Sequence, residues 1–226
     1  MFYIDIFLKH FWQMLPYLKT TFFVAVITFL LSVLLGGLIA KGMLGKNKLG
    51  QKLAKAYINL MRCVPPIVLL FVVYYGLPYL IDTIFHKNIN GMDAIYFTII
   101  SLGLLHAASF AEMMRGAYLA VGKGQEEAAC SIGLTKWQAF YRIIFPQAFV
   151  VALPILGNSI VELLKDGALA YSIGVVDVTG RARYLISMNL GGYVLETYLA
   201  LALIYWILSL ITQKGFGALE RRLRKG

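Results

Sequence analysis

Apolar residues along this chain occur in runs of about 20, separated by shorter polar segments. A run of about 20 apolar residues is the length that a helix needs to cross the hydrocarbon core of a bilayer. Membrane strands would alternate at every second residue instead, and these runs do not. The pattern predicts an all-α membrane protein with about five transmembrane helices in one domain, residues 1–226. The predicted spans are 17–40, 57–81, 92–114, 145–164 and 193–213.

Two segments outside the spans have patterns of their own. In residues 1–16, Ile4, Leu8 and Trp12 recur at helical spacing. There is no small-residue cleavage site, so we expect an interfacial helix on the outer membrane surface and not a cleaved signal. Residues 166–192 are less apolar and rich in glycine. They predict an extracellular connection that reaches into the protein interior.

Composition agrees with a membrane location, and charge orients the chain. Hydrophobic residues make up 60% of the sequence and the mean hydropathy is +0.74, whereas a soluble domain is about 45–50% apolar. The net charge is +10. Fourteen basic residues lie on one predicted side and five on the other, with Arg62 and Lys165 in or near spans. The fourteen are Lys41, Lys46, Lys48, Lys52, Lys55, Arg115, Lys123, Lys136, Arg142, Lys214, Arg221, Arg222, Arg224 and Lys225.

Because basic residues accumulate on the cytoplasmic side of membrane proteins, the N-terminus is predicted outside and the C-terminus inside. The basic C-terminal residues are expected to attract anionic lipid headgroups. The basic runs are not interleaved with aromatic residues, so no nucleic-acid partner is predicted.

Motifs for catalysis and for metal binding are missing from the sequence. It has no G-x-S-x-G and no H-E-x-x-H, and the one P-loop-like stretch, residues 42–47, has the wrong spacing. Cys63 and Cys130 are expected to be free thiols, and His10, His86 and His106 to be surface or packed polar groups. We therefore predict no enzyme activity and no cofactor on this chain. Energy for transport would come from an ion gradient or from another polypeptide.

The long loop between the third and fourth spans, residues 116–145, contains helix signals. Gly133 is placed as the left-handed residue that ends one short helix. Thr135 and Gln138 form a capping box that starts a second helix, and Pro146 is expected to restart the chain as the fourth span. Two helices hinged at Gly133 would form a rigid cytoplasmic elbow, residues 125–145, suited to dock a soluble partner.

The spacing of residues in this elbow resembles a known motif. Glu127-Ala128-Ala129, Gly133, Ile143 and Pro146 stand at the offsets of the "EAA" motif of permease subunits in ATP-binding-cassette importers. Phe145 replaces the usual leucine. Further segments are similar to the polar amino-acid branch of that family, of the histidine/glutamine type. They are Tyr74-Tyr75-Gly76-Leu77-Pro78, Ala111-Glu112, Arg115-Gly116-Ala117, Pro146-Gln147-Ala148, Leu153-Pro154 and Leu163-Leu164-Lys165-Asp166.

Two departures from that branch lie near the expected solute path. Val64-Pro65-Pro66-Ile67 replaces the usual Thr-Pro-Leu-Leu, and Gly167-Ala168 replaces Thr-Ser. The resemblance therefore implies the mechanism more firmly than the solute.

The resemblance implies a type I importer permease in the cell membrane, with several partners. They are a cytosolic ATPase subunit that holds ATP and Mg²⁺, a second permease subunit (identical or different), an extracellular solute-binding protein, an amino-acid substrate and membrane lipid. The residues expected to dock the ATPase are Gln125, Glu126, Glu127, Ala128, Ala129, Gly133, Leu134 and Thr135. An ion-coupled secondary carrier without an ATPase is the alternative.

Charged residues within spans mark candidate sites, because charges at membrane depth are costly. Asn158, Glu162 and Asp166 share one face of the fourth span, here called the polar face, and Lys165 is one residue away. They predict a site for a cationic or zwitterionic amino acid such as cystine, glutamine, arginine or histidine. The alternative is an ordinary helix end at the outer boundary. Glu112 and Arg115 are expected to form a structural ion pair.

Overall fold

The computed structural model describes residues 2–223, which contain helices and no strand. Arg224 and Lys225, predicted on the cytoplasmic side, lie outside these residues. Ten α-helices follow one another: α1 Ile4–Met14, α2 Leu18–Leu44, α3 Lys48–Cys63, α4 Pro66–Phe85, α5 Ala94–Ala120, α6 Lys123–Ser131, α7 Lys136–Ala139, α8 Phe145–Gly167, α9 Val178–Met188 and α10 Val194–Leu223. Short 3₁₀ segments cover Leu15–Tyr17 and Ala168–Ile173, and a π-helical segment covers Phe140–Ile144.

The prediction of five spans is confirmed. Five helical stretches are long and apolar enough to cross a membrane: Ile4–Leu44, Pro66–Phe85, Ala94–Ala120, Lys136–Ile173 and Val194–Leu223. Each stretch runs past the predicted C-terminal end, because a helix continues beyond the apolar run that marks it. The helix predicted within residues 1–16 is present as α1.

The second predicted span, 57–81, is wrong as one continuous helix. The chain breaks at Val64 and Pro65, which both have extended backbone. A residue that precedes proline is disfavoured in the α conformation, and Val64-Pro65-Pro66 applies this restriction twice in succession. The result is two helices, α3 and α4, that meet at the break.

The expectation that Pro146 restarts the chain is also wrong. The helix that begins at Lys136 continues through the π-helical segment into α8 without interruption. The N–H of Phe145 donates to the carbonyl of Phe140, five residues back. The wider turn admits Pro146, which has no N–H to donate. The elbow is therefore joined to the fourth span by a continuous helix.

Helix α5 lies at the centre of the bundle and crosses α2 closely. Its buried residues include Phe97, His106, Phe110 and Ala117. Where α2 meets it, the hydroxyl of Ser32 donates to the carbonyl of Gly103 at 3.3 Å. Small residues at such a crossing let two membrane helices approach to backbone contact.

The segment predicted to reach into the interior, residues 166–192, packs against the bundle. Ala170, Ile173 and Val175 join a buried cluster with residues of α4 and α5. Helix α9 contributes Val178 to a second cluster, which also includes Met14 at the end of α1 and residues of α10. Helix α1 is therefore attached along one side to α9 and α10.

The contact between α2 and α5 leads to a test at Gly36. A Cβ added there would lie 2.8 Å from Cβ of Phe110 and 3.1 Å from the carbonyl oxygen of Ala107. Gly36→Ala should therefore destabilise the protein by about 1–3 kcal/mol. Gly37→Ala is the matched control, because its nearest neighbour would be Sδ of Met114 at 3.8 Å. Thermal unfolding in detergent should show a lower midpoint for Gly36→Ala alone; equal midpoints would contradict the close crossing.

Candidate functional site

The turn of the elbow is closed by hydrogen bonds on both sides of Gly133. The N–H of Gly133 donates to the carbonyl of Cys130 at 3.0 Å, and that of Leu134 donates to Ala129 at 3.1 Å. This is a Schellman motif, and Gly133 has the positive φ of 91° that it requires. The predicted capping box is confirmed, since Gln138 and Thr135 exchange hydrogen bonds at 2.9 and 3.3 Å. Both helix ends are thus satisfied, which makes the turn stiff.

The tip of the elbow presents apolar side chains on its outside. Ile132 is 79% exposed and Trp137 is 67% exposed. Of the residues predicted to dock the ATPase, five are exposed: Gln125, Glu127, Ala128, Gly133 and Thr135. Ala129 is buried, Leu134 is half-buried, and Glu126 accepts a hydrogen bond from the hydroxyl of Tyr118 at 3.1 Å. Inward residues thus attach the elbow to α5 while outward residues stay available to a partner.

A cavity of about 950 Å³ lies between the elbow and the helices behind it. Lys55 and Asn59 line it on the side of α3, while Arg115 and Tyr118 of α5 and Glu127 of α6 line the other side. Its wall carries both acidic and basic side chains. The cavity is large enough for a molecule of the size of an amino acid.

Glu112 and Arg115 lie in this wall with the geometry expected of an ion pair. Nη2 of Arg115 is 2.7 Å from Oε2 of Glu112, and its Nε donates to the same oxygen at 3.0 Å. Both side chains are about one third exposed. The pair joins two successive turns near the end of α5, where it neutralises both charges.

Asp166 lies near the middle of the bundle and not at its edge. Its Oδ2 is 3.1 Å from Nε2 of His106, which lies on α5 about 18 Å from Ala94 and about 21 Å from Ala120 at 1.5 Å per residue. The alternative of an ordinary helix end at the outer boundary therefore does not fit Asp166. The fourth span continues past it through the 3₁₀ segment Ala168–Ile173.

The other residues of the polar face point away from the bundle. Asn158 and Glu162 are exposed, as is Lys165. Glu162 lies one turn before Asp166 on the same face, about 6 Å away along the helix axis, and so still well within the span. A carboxylate at this depth requires water, a partner charge or another chain.

Among the polar residues that the fold buries, His106 and Asp177 have surroundings that the sequence does not indicate. The sequence predicts His106 only as a surface or packed polar group, because its position opposite Asp166 depends on the packing of α5 against α8. Asp177 is 2% exposed. Its carboxylate accepts the N–H of Gly180 at 2.8 Å and caps α9. The sequence Asp177-Val178-Thr179-Gly180 resembles a helix start, which was the one signal available.

The Asp177 carboxyl yields a prediction about pH. Burial raises its pKa to about 6, although the N–H of Gly180 acts in the opposite direction. The folded protein therefore binds this proton more tightly than the unfolded chain. Stability should fall by about 2–3 kcal/mol as pH rises from about 4 to about 6, and then level off.

The substitution that checks this is Asp177→Asn, which keeps an oxygen for the cap and cannot ionise. Its midpoint of thermal unfolding in detergent should lose this component of the pH dependence. Asp93→Asn, at the exposed cap of α5, should keep the wild-type profile. A wild-type slope in Asp177→Asn would mean that another group titrates.

Comparison with known proteins finds a family and several relatives. Residues 32–225 match the family described as "Binding-protein-dependent transport system inner membrane component". The L-cystine transport system permease protein TcyL of Bacillus subtilis is 38% identical over 209 residues, covering 92% of this chain and 86% of TcyL. The probable amino-acid permease protein YxeN of the same organism is 40% identical over 210 residues, covering 92% and 90%.

Solved structures agree with these matches. A chain of an amino acid ABC transporter with histidines superposes with a TM-score of 0.76 at 31% identity, covering 97% of this chain and 96% of that chain. The inward-facing MetNI methionine ABC transporter has a TM-score of 0.68 at 18% identity, covering 97% of each chain. The second likeness supports the fold alone.

Proposed function

The chain belongs to the family of binding-protein-dependent transport system inner membrane components, and from this membership we propose that it moves a polar amino acid into the cytoplasm. It is a multi-pass membrane protein and a permease subunit of an amino-acid ABC importer, not an enzyme. ATP is hydrolysed by a separate subunit. The family does not favour the alternative of an ion-coupled carrier.

The membrane depth of the polar face is the observation that carries the proposal. Asp166 and Glu162 lie at mid-depth, and the contact between Asp166 and His106 is far from either end of α5. Carboxylates at this depth suit the α-ammonium group or a cationic side chain of an amino acid. The proposed solute is therefore cationic or zwitterionic, with cystine, glutamine, arginine and histidine as candidates. Asn158 and Lys165 extend the same site.

Exposure of Glu162 supports pairing with a second permease subunit. A carboxylate that faced lipid at this depth would be costly, whereas a water-filled path between two subunits would hydrate it. The second subunit is a further copy of this chain or a sister chain. An extracellular binding protein would deliver the solute to this path, and the N-terminus would lie outside the cell.

The elbow is the proposed contact with the ATPase. Its turn is closed by hydrogen bonds, and the helix that follows the turn continues into α8. A displacement of the tip would therefore move the fourth span instead of deforming the loop. Gln125, Glu127 and Ala128 are exposed beside the apolar Ile132. The ATP and Mg²⁺ would stay on the partner.

Gly133→Asp tests the elbow. The substitution places a side chain at a φ of 91°, at a cost of about 1–2 kcal/mol, and adds a charge to the contact. Because strain and charge would both disturb the contact, co-purification of the ATPase subunit with the permease should fall about tenfold, which corresponds to a loss of about 1.4 kcal/mol of binding free energy. Gly124→Ala in the adjoining helix has free space around the new Cβ and should retain the ATPase. Undiminished capture by Gly133→Asp would refute docking at this turn.

Glu162→Ala tests the solute site. Solute-loaded binding protein should no longer stimulate ATP hydrolysis by the assembled importer, because the carboxylate that holds the solute is removed. Asp82→Ala, which removes an exposed carboxylate near the end of α4, should retain full stimulation. Assembly is verified by co-purification with the ATPase. Normal stimulation of an assembled Glu162→Ala importer would exclude this residue from the site.

A further inference from the structure

Helix α3 has two exposed faces of opposite character. One carries polar side chains at spacings of four, three, four and three residues, so that they form a single row along the helix. We call this row the polar ladder, and all its members are exposed: Lys48, Lys52, Lys55, Asn59 and Arg62. The other face carries Leu49, Leu53 and Leu60, each about 60% exposed. The face between them packs on the bundle through Ala54 and Ile58.

The ladder rises from the end of α2 into the middle of the membrane-spanning region. The hydroxyl of Tyr57 donates to the carbonyl of Leu104 at 2.6 Å, and Leu104 lies about 15 Å along α5 from Ala94 and about 24 Å from Ala120. The backbone of α3 lies further from Ala94 than that hydroxyl, since Ile58, next to Tyr57, packs in a cluster with Ala108 and Ala111 of α5. Arg62 is one turn beyond Ile58 and therefore lies at a depth comparable with that of Asp166, which contacts His106.

Part of the ladder already faces open space. Lys55 and Asn59 line the cavity of about 950 Å³ behind the elbow. The opposite wall holds Glu112, Glu126 and Glu127, of which Glu112 is paired with Arg115 and Glu126 is bonded to Tyr118. The basic side chains that line the same cavity are Lys55, Arg115 and Lys136. The exposed ladder continues on either side of Lys55 with Lys52 and Arg62.

From this arrangement we propose that the polar ladder lines the cytoplasmic half of the solute path and attracts the carboxylate of the passing amino acid. A guanidinium group at the depth of Arg62 is stable only beside water or a counter-charge. An anionic group on the solute supplies that charge, while the polar face holds the ammonium end. This inference rests on the proposed function, and it favours zwitterionic solutes over solutes without a carboxylate.

Cysteine labelling tests which face of α3 is accessible to water. Cys63 and Cys130 are first replaced by serine in the importer co-expressed with its ATPase. Asn59→Cys and Leu60→Cys are then compared, since these neighbours share one depth and lie on different faces. Inverted membrane vesicles are treated with the anionic sulfonatoethyl or the cationic trimethylammonioethyl methanethiosulfonate, and each rate is divided by the rate with free cysteine.

Asn59→Cys should react with the anionic reagent about tenfold faster than with the cationic one, because the basic row concentrates anions. Leu60→Cys should react at least about tenfold more slowly with both. Adding Lys55→Gln or Arg62→Gln to Asn59→Cys should reduce the preference for the anion. Equal, slow labelling at both positions would show that the ladder is covered by lipid or protein, and equal rates with both reagents would refute attraction of a carboxylate.

Amino-acid uptake by the same cysteine variants separates this inference from the proposed function. If Asn59→Cys is unreactive while amino-acid uptake persists, the polar ladder does not line the solute path, and the proposed transport function is retained. Anion-selective labelling without uptake of any amino acid would overturn the function, and with it the carboxylate as the attracted group.

Discussion

The close crossing of α2 and α5 determines where the rest of this protein can lie. At Gly36 the two backbones approach so closely that even one methyl group would meet Phe110. With α5 held in the centre, α3, α4 and α8 each pack against it. The depth of every polar residue can then be measured along one helix. In a membrane, where apolar side chains gain little by leaving lipid, such packing of small residues supplies much of the attraction between helices.

Charged side chains at membrane depth are stable beside an opposite charge or on a face that another molecule or water covers. Glu112 and Arg115 meet this requirement within one helix. Asp166 lies 3.1 Å from Nε2 of His106 on a neighbouring helix. Glu162 and Arg62 are exposed on separate helices at similar depth. This arrangement suits a path between subunits in which carboxylates meet one end of a zwitterion and cations meet the other.

The elbow is a stiff element that is specified by residues close together in the sequence. Its turn uses one glycine in the left-handed conformation, and its second helix begins at a capping box. The π-helical segment then carries that helix past Pro146 into the fourth span. Because the helical segments follow one another without a break from Lys136 to Gly167, motion at the tip would be transmitted into the membrane.

The sequence by itself determined the membrane class, the number of spans and the turn at Gly133, because each depends on residues near one another along the chain. It also placed Asn158, Glu162 and Asp166 on one face, since helical spacing decides that. It did not reveal the break at Val64, because the apolar residues on both sides of the prolines form a run long enough for one span. It also did not reveal that the helix continues across Pro146. Only the tertiary structure brought His106 to Asp166 and set the depth of Arg62, since both depend on how separate helices pack. The depth of a residue in the membrane is set by the assembled bundle, and it cannot be read from the sequence of one span.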